Sequence, residues 1–222
     1  MKIEFKPVTL EQLPLLKEQL PKLQTGDCNL SIASVIGRAK EYQIKWGLVE
    51  DELVLNWMPY PDIPAAYVLP LQSDNILKIM QTLECRCKDC KEPLILFGRF
   101  TYMTEKISEL MRYRNFITVS SNSWWDYVYD RARIETLEGR DLHGKRNFNK
   151  RFYKAYPDAS FVPLDAPMIE KCRVFLAKWY EAHGEMTESL QAEKVAIEFA
   201  FDHFEDFGLI GGALVNGDDI FG

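Results

Sequence analysis

Leu209-Ile210-Gly211-Gly212-Ala213-Leu214-Val215, the turn Asn216-Gly217-Asp218-Asp219 and the return Ile220-Phe221-Gly222 together read as a β-hairpin. Asn-Gly is a strong signal for one, because both residues tolerate the positive φ that a tight turn between twisted strands requires. The same order occurs earlier, where residues 42–49 meet the acidic turn Glu50-Asp51-Glu52 and continue through residues 53–57. Working back from each hairpin exposes a longer repeat. Phe5-Lys6-Pro7-Val8 is echoed by Phe161-Val162-Pro163-Leu164, and each precedes a helix with apolar residues at helical spacing. Those residues are Leu13, Leu16 and Leu20 in one helix, and Ile169, Cys172, Phe175 and Leu176 in the other. A second amphipathic segment follows each, at residues 30–40 and at 192–207.

The repeat predicts two related modules, 1–124 and 125–222. After its turn the first hairpin runs on for at least five residues and is followed by a further strand, helix and strand, whereas the second has three residues left. So short a strand cannot complete a sheet, so the second module is expected to be incomplete at its C-terminus and the natural protein longer.

Within the first module Thr9 and Gln12 are spaced to cap a helix, and Ala66 to Leu69 reads as a strand after the proline-rich loop of residues 59–64. Ser73-Asp74 opens a helix with Ile76, Ile79, Met80 and Leu83 on one face. Residues 94–98 read as a buried strand, Thr104 as the start of another helix, residues 116–119 as a brief strand and residues 125–134 as a longer alternating one. Strands interleaved with helices give the α/β (α+β) class with mixed central sheets.

Composition narrows the function classes. No apolar run approaches the roughly 18 residues that cross a bilayer, and the opening Met-Lys-Ile-Glu-Phe-Lys is no signal peptide. The five cysteines, three of them at Cys85, Cys87 and Cys90, suggest a reducing, cytoplasmic setting. Three thiols lack a fourth ligand for structural zinc, so free surface thiols at a helix end are expected and no metal. A net charge of −6 argues against a surface that binds nucleic acid everywhere, which throws weight on local charge.

Local charge peaks at residues 138–157, where six Lys or Arg stand against one Asp and one Glu. Phe148, Phe152 and Tyr156 recur at i, i+4 and i+8 and share a face expected to pack, leaving the others positive. Arg forks and Lys point charges suit phosphate, so Lys145, Arg146, Asn147, Lys150 and Arg151 are the candidate anion-binding residues. A solvated helix linking two modules explains the same run. His143 within it is a candidate general base, and a hydrogen-bonded structural histidine is the competing reading. Trp124-Trp125, Trp179-Tyr180 and Tyr127/Tyr129 are candidates for stacking on a base or aminoacyl group, or for the core. Glu185, Glu188 and Glu193 either orient an amine acceptor or cap a helix.

The segments Thr136-Leu137-Glu138-Gly139, Lys145-Arg146-Asn147-Phe148-Asn149-Lys150-Arg151-Phe152, Tyr156-Pro157-Asp158 and Phe207-Gly208-Leu209-Ile210-Gly211-Gly212 resemble the phosphatidylglycerol lysyltransferase C-terminal-domain family. That group is related to GNAT-type N-acyltransferases and Fem-type aminoacyltransferases. The N-terminal half fits more loosely, with Asp27 and Ser31-Ile32 where the family carries an Asp, a Ser-Phe pair and an aromatic anchor. The resemblance implies two tandem GNAT-like modules, the second entered through a basic helix at 139–156. It further implies transfer of an activated acyl or aminoacyl group, from acyl-CoA or aminoacyl-tRNA, to an amine or hydroxyl acceptor. The implied partner at the basic helix is a tRNA or another nucleotide-containing donor. The alternative is a non-catalytic binding module that retains the fold. The glycine-rich loop of acetyl-CoA users would lie beyond Gly222.

Overall fold

A computed structural model describes residues 3–23, 27–58, 64–98, 105–117, 119 and 127–221. In chain order the elements are β1 (Lys6–Pro7), α1 (Leu13–Leu23), α2 (Ile32–Gly37), β2 (Lys45–Val49), β3 (Glu52–Trp57), β4 (Ala66–Val68), α3 (Ile76–Cys90), β5 (Ile95–Leu96) and α4 (Glu105–Tyr113). They continue with α5 (Arg131–Thr136), α6 (His143–Ala155), β6 (Ser160–Pro163), α7 (Ala166–His183), α8 (Glu188–Asp202), β7 (Gly212–Asn216) and β8 (Asp219–Ile220). The class is mixed α/β. Two compact units divide the chain, Met1–Val119 with Glu188–His203, and Ser120–Thr187 with Phe204–Gly222.

The first unit is a five-stranded sheet in the order β1-β2-β3-β4-β5. Its first four strands are antiparallel, and β5 joins parallel to β4. A parallel pair needs a crossover connection, and α3 lies in it. Ile76, Ile79, Met80, Leu83 and Cys87 fall at i, i+3, i+4, i+7 and i+11, and this stripe packs with Val49, Val54, Tyr67 and Leu69 of the sheet and its edge. Each large apolar side chain buried this way contributes about 1.5–3 kcal/mol. Central β3 is closed on both sides, with Leu53, Val54 and Leu55 at most 1% exposed. Gly47 in β2 is required by close approach, since a Cβ there would stand 2.9 Å from the Glu4 carbonyl oxygen.

Helix starts are chemically explicit. The Thr9 backbone N–H donates to Gln12 Oε1 at 2.8 Å ahead of α1, and Ser31 Oγ accepts from the Ser34 backbone N–H at 3.3 Å to cap α2. Helix α8 packs on α2 within this unit.

The second unit has a three-stranded antiparallel sheet, β6-β7-β8. Asp165 Oδ1 accepts from the Met168 backbone N–H at 2.9 Å to start α7, and Pro167 sits in its first turn. Ile169, Tyr180, Phe207, Ala213 and Val215 are its buried residues. The ring of Phe161 lies over Gly212, where a Cβ would come within 2.0 Å of it.

Several expectations are corrected. Residues 116, 117 and 119 form no strand: Asn115 at φ 56 ends α4, and the Phe116 N–H turns back to the Met111 carbonyl at 3.0 Å. The apolar Phe116 therefore serves a helix terminus and not a ladder. Residues 127–130 form no strand with any described residue, and the Tyr127 and Tyr129 rings stack at 6.3 Å. Arg131–Thr136 is helical because Asp130 Oδ1 accepts from the Arg133 N–H at 2.8 Å and so caps it. The strand expected at 94–98 shrinks to Ile95–Leu96 and is only half-buried. Asn216 keeps an ordinary φ, and Gly217 alone, at φ 63, carries the positive angle of its turn. Cys87 is buried, although Cys85 and Cys90 are exposed as expected. Residues 59–63, Thr104 and Trp124-Trp125 lie outside the described residues, as does Gly222.

Candidate functional site

Helix α6 carries the densest charge in the second unit. At about 100° per residue, His143, Asn147, Lys150 and Lys154 fall on one stripe, with Arg146 and Arg151 on its shoulders. Phe148, Phe152 and Lys145 lie on the far side. Phe152 and Tyr156 pack on Phe221 at 5.8 and 4.7 Å between ring centroids. Phe148, expected to pack with them, is 62% exposed, and the Arg151 guanidinium lies 4.6 Å over its ring. None of the helix's residues is buried.

The candidate anion-binding residues divide by what they hold. Arg146 is committed to the chain before the helix: its Nη1 donates to the Gly139 carbonyl at 2.8 Å and to that of Leu137. Leu137 and Gly139 both have positive φ, so this guanidinium ties down a sharp turn. Arg133 pairs with Asp141 in the same turn, and that guanidinium holds the Asp141 carboxyl below the usual carboxylate range. Lys145, Lys150, Lys154 and Arg151, by contrast, enter no ion pair among the described residues. Asn147 Nδ2 lies 3.4 Å from His143 Nδ1, a long contact that still biases the ring's orientation.

A second feature went unread in the sequence. In the first unit α2 and α8 flank an open pocket of about 240 Å³. Ser34 and Arg38 line one wall, and Ser189 and Glu193 the other. Arg38 donates from Nε and Nη2 to the Glu41 carboxylate at 2.9 and 3.0 Å and stacks 4.5 Å over Tyr42. The Glu41 hydrogen bond pushes the Arg38 guanidinium still higher than its usual value. The serines and alanines that shape this space are too small to register in a hydrophobic pattern.

Other candidates resolve into structure. Tyr180 is core, and Trp179 stacks on His183 at 4.6 Å. Cys87 Sγ lies 3.7 Å from the buried Tyr67 hydroxyl, which also accepts from Arg86 Nε at 3.4 Å; burial pushes the phenol up to about 12. Among the described residues no group of three His, Cys, Asp or Glu is placed to hold a metal, and no helix is long and apolar enough to cross a membrane.

The family described as "Phosphatidylglycerol lysyltransferase, C-terminal" matches this chain over residues 23–222. A crystal structure of a conserved protein of unknown function from Bacteroides thetaiotaomicron VPI-5482 superposes with a TM-score of 0.82 at 24% identity, covering 98% of this chain and 73% of that one. At that identity the likeness is one of fold. No curated protein matches the chain.

Proposed function

The chain belongs to the phosphatidylglycerol lysyltransferase C-terminal family, and from that premise we propose that it is an aminoacyl-transfer module whose helix α6 receives the anionic donor. The observation that carries this reading is the stripe of Lys150 and Lys154 beside Arg151, exposed and outside any described ion pair. Phosphates are what such cations serve, and aminoacyl-tRNA presents a row of them. Acyl-CoA is the competing donor. The tandem acyltransferase-like architecture belongs to the same proposal. It draws support from the parallel sequences β1-α1-α2-β2-β3 and β6-α7-α8-β7-β8, in which the first strand of each pairs antiparallel with the strand that opens its hairpin.

The chemistry asks little beyond orientation. An ester-linked aminoacyl group is already activated; an acceptor amine or hydroxyl attacks its carbonyl carbon and gives its proton to a base, the bond to the donor oxygen breaks, and that oxygen leaves as a hydroxyl by taking the proton back from the base. His143 takes that role in this reading, its ring oriented by the contact with Asn147.

Filter retention of charged and uncharged tRNA at two salt concentrations tests the reading. Lys150→Glu with Lys154→Glu should abolish salt-sensitive retention and leave Tm nearly unchanged, since neither side chain is buried or paired. Loss of two phosphate contacts should lower the log–log salt slope by about 1–2. Arg146 is left intact because its loss would also release the Leu137–Gly139 turn. Equal retention by the double variant overturns the reading. Stabilisation by a CoA ester alone transfers the donor role to acyl-CoA, and silence toward both favours a non-catalytic binding module.

A further inference from the structure

We infer that the end of β3 in the first unit, at Trp57, is a binding site for a small neutral molecule made of a flat apolar ring and a carbonyl oxygen. The site uses no residue of α6 and goes beyond the transfer reading.

Two buried hydrogen-bond donors here lack an acceptor. The indole N–H groups of Trp46 and Trp57 are shut off from solvent and meet no acceptor among the described residues. Buried tryptophans ordinarily find one, and a donor left unpaired costs about 1–3 kcal/mol. The two share one face of the sheet: Trp46 stands directly opposite Leu55, and Trp57 follows Leu55 by two residues. Core packing accounts for the ring of Trp57, which is only 4% exposed, but a phenylalanine would pack there without stranding an N–H.

The surroundings define what supplies the acceptor. Trp57 meets Phe97 edge-on at 4.7 Å between ring centroids and Tyr42 at 6.0 Å. Tyr42 is held from two sides: its carbonyl accepts from the Met58 N–H at 2.8 Å, and the Arg38 guanidinium lies 4.5 Å over its ring. Tyr42 and Phe97 are half-buried, so the approach to the enclosed Trp57 runs past them. A buried water needs about three polar partners, and ring faces offer it few. A carbonyl on an aromatic body satisfies the indole with one atom and packs against Tyr42 and Phe97 with the rest. Charge disfavours an anion, because Arg38 is bonded through Nε and Nη2 to the Glu41 carboxylate and brings no net positive charge to the cluster.

NMR of the whole chain, isotope-labelled at the indole nitrogens, tests this directly, since each indole N–H gives its own signal and Trp46→Phe and Trp57→Phe assign the two in question. The probes are acetophenone, benzoate and α-methylstyrene, which has the shape of acetophenone with a methylene in place of the oxygen. Acetophenone should bind and move the Trp57 indole proton downfield. α-Methylstyrene should bind about tenfold more weakly and leave that proton in place, the loss expected for one hydrogen bond to an otherwise unpaired donor. Benzoate should not bind. Trp57→Phe should weaken acetophenone by about the same factor, and Trp179→Phe, in α7 of the second unit, should leave its affinity unchanged. Equal affinity for acetophenone and α-methylstyrene, benzoate binding as tightly as acetophenone, an unmoved Trp57 signal, or full affinity in Trp57→Phe overturns the proposal. The probe comparison uses the native protein, so it decides the matter even where a variant folds poorly. Retention of tRNA should be the same with and without acetophenone, so this site and the basic helix can fail separately.

Discussion

The two units spend their apolar residues differently. In the first, α3 and β3 face each other through side chains that are wholly enclosed, with Val54, Ile79 and Leu83 at 0% exposure. In the second, α6 buries nothing, and Phe148 and Phe161 stand 62% and 70% exposed. Both helices are amphipathic in sequence. The difference teaches that periodicity names a face, whereas burial needs a second surface to receive it. Where none does, the same aromatic spacing supports a charged helix instead of anchoring a core.

The sharpest way to break this comparison is to remove one side chain from each. Ile79→Ala takes a fully enclosed side chain out of the α3 stripe and should cost about 3–4 kcal/mol by chemical denaturation. Phe152→Ala removes a half-buried ring whose described ring contacts are Tyr153, Tyr156 and Phe221, and should cost roughly 1–2 kcal/mol despite the larger deletion. Equal losses would mean that the α6 face is closed in solution.

A smaller effect should come from the buried Tyr67, 2% exposed against Phe5 and α3. Its phenol is pushed up to about 12 from an ordinary 10.0. The unfolded chain therefore ionises first, so stability is intact below pH 10 and is lost as pH rises from about 10 toward 12, by on the order of 2 kcal/mol. Denaturation midpoints at pH 9 and pH 11 should differ in the native protein and converge in Tyr67→Phe. No pH dependence in the native protein would show that water reaches this side of the core.

How much of this was legible follows the same physics. Helix α3 and both hairpins could be read because alternation, helical period and turn residues are local signals that the tertiary fold did not override. The stripe of α6 was likewise visible in spacing. The role of Arg146 was not, because it depends on Leu137 adopting a left-handed φ of 52, a conformation its residue type does not announce. Residues 116, 117 and 119, like residues 127–130, have strand-like composition and no partner strand among the described residues, which no single segment can reveal. The pocket between α2 and α8 was the least legible feature, since its walls come from segments more than 150 residues apart and are shaped by small side chains.

The two hairpin turns give the finest test, because they solve one geometric problem with different residues. The first places Glu50 at φ 51 and Asp51 at φ 61, both non-glycine residues in left-handed backbone, while the second uses Gly217 at φ 63. A left-handed conformation costs an L-residue roughly 1–2 kcal/mol, less for Asp than for Glu, and the turn persists because β2 and β3 pair along five residues on either side of it. Asp51→Gly should relieve part of that strain and raise stability by up to about 1 kcal/mol, with the unfolded chain's extra freedom opposing the gain. Gly217→Ala imposes the strain on a hairpin held by two residue pairs and should cost about 1 kcal/mol. Opposite signs would show that the first hairpin carries strain that its long ladder absorbs. If both substitutions destabilise, Asp51 holds its turn by more than backbone geometry, and the two hairpins differ in chemistry as well as in length.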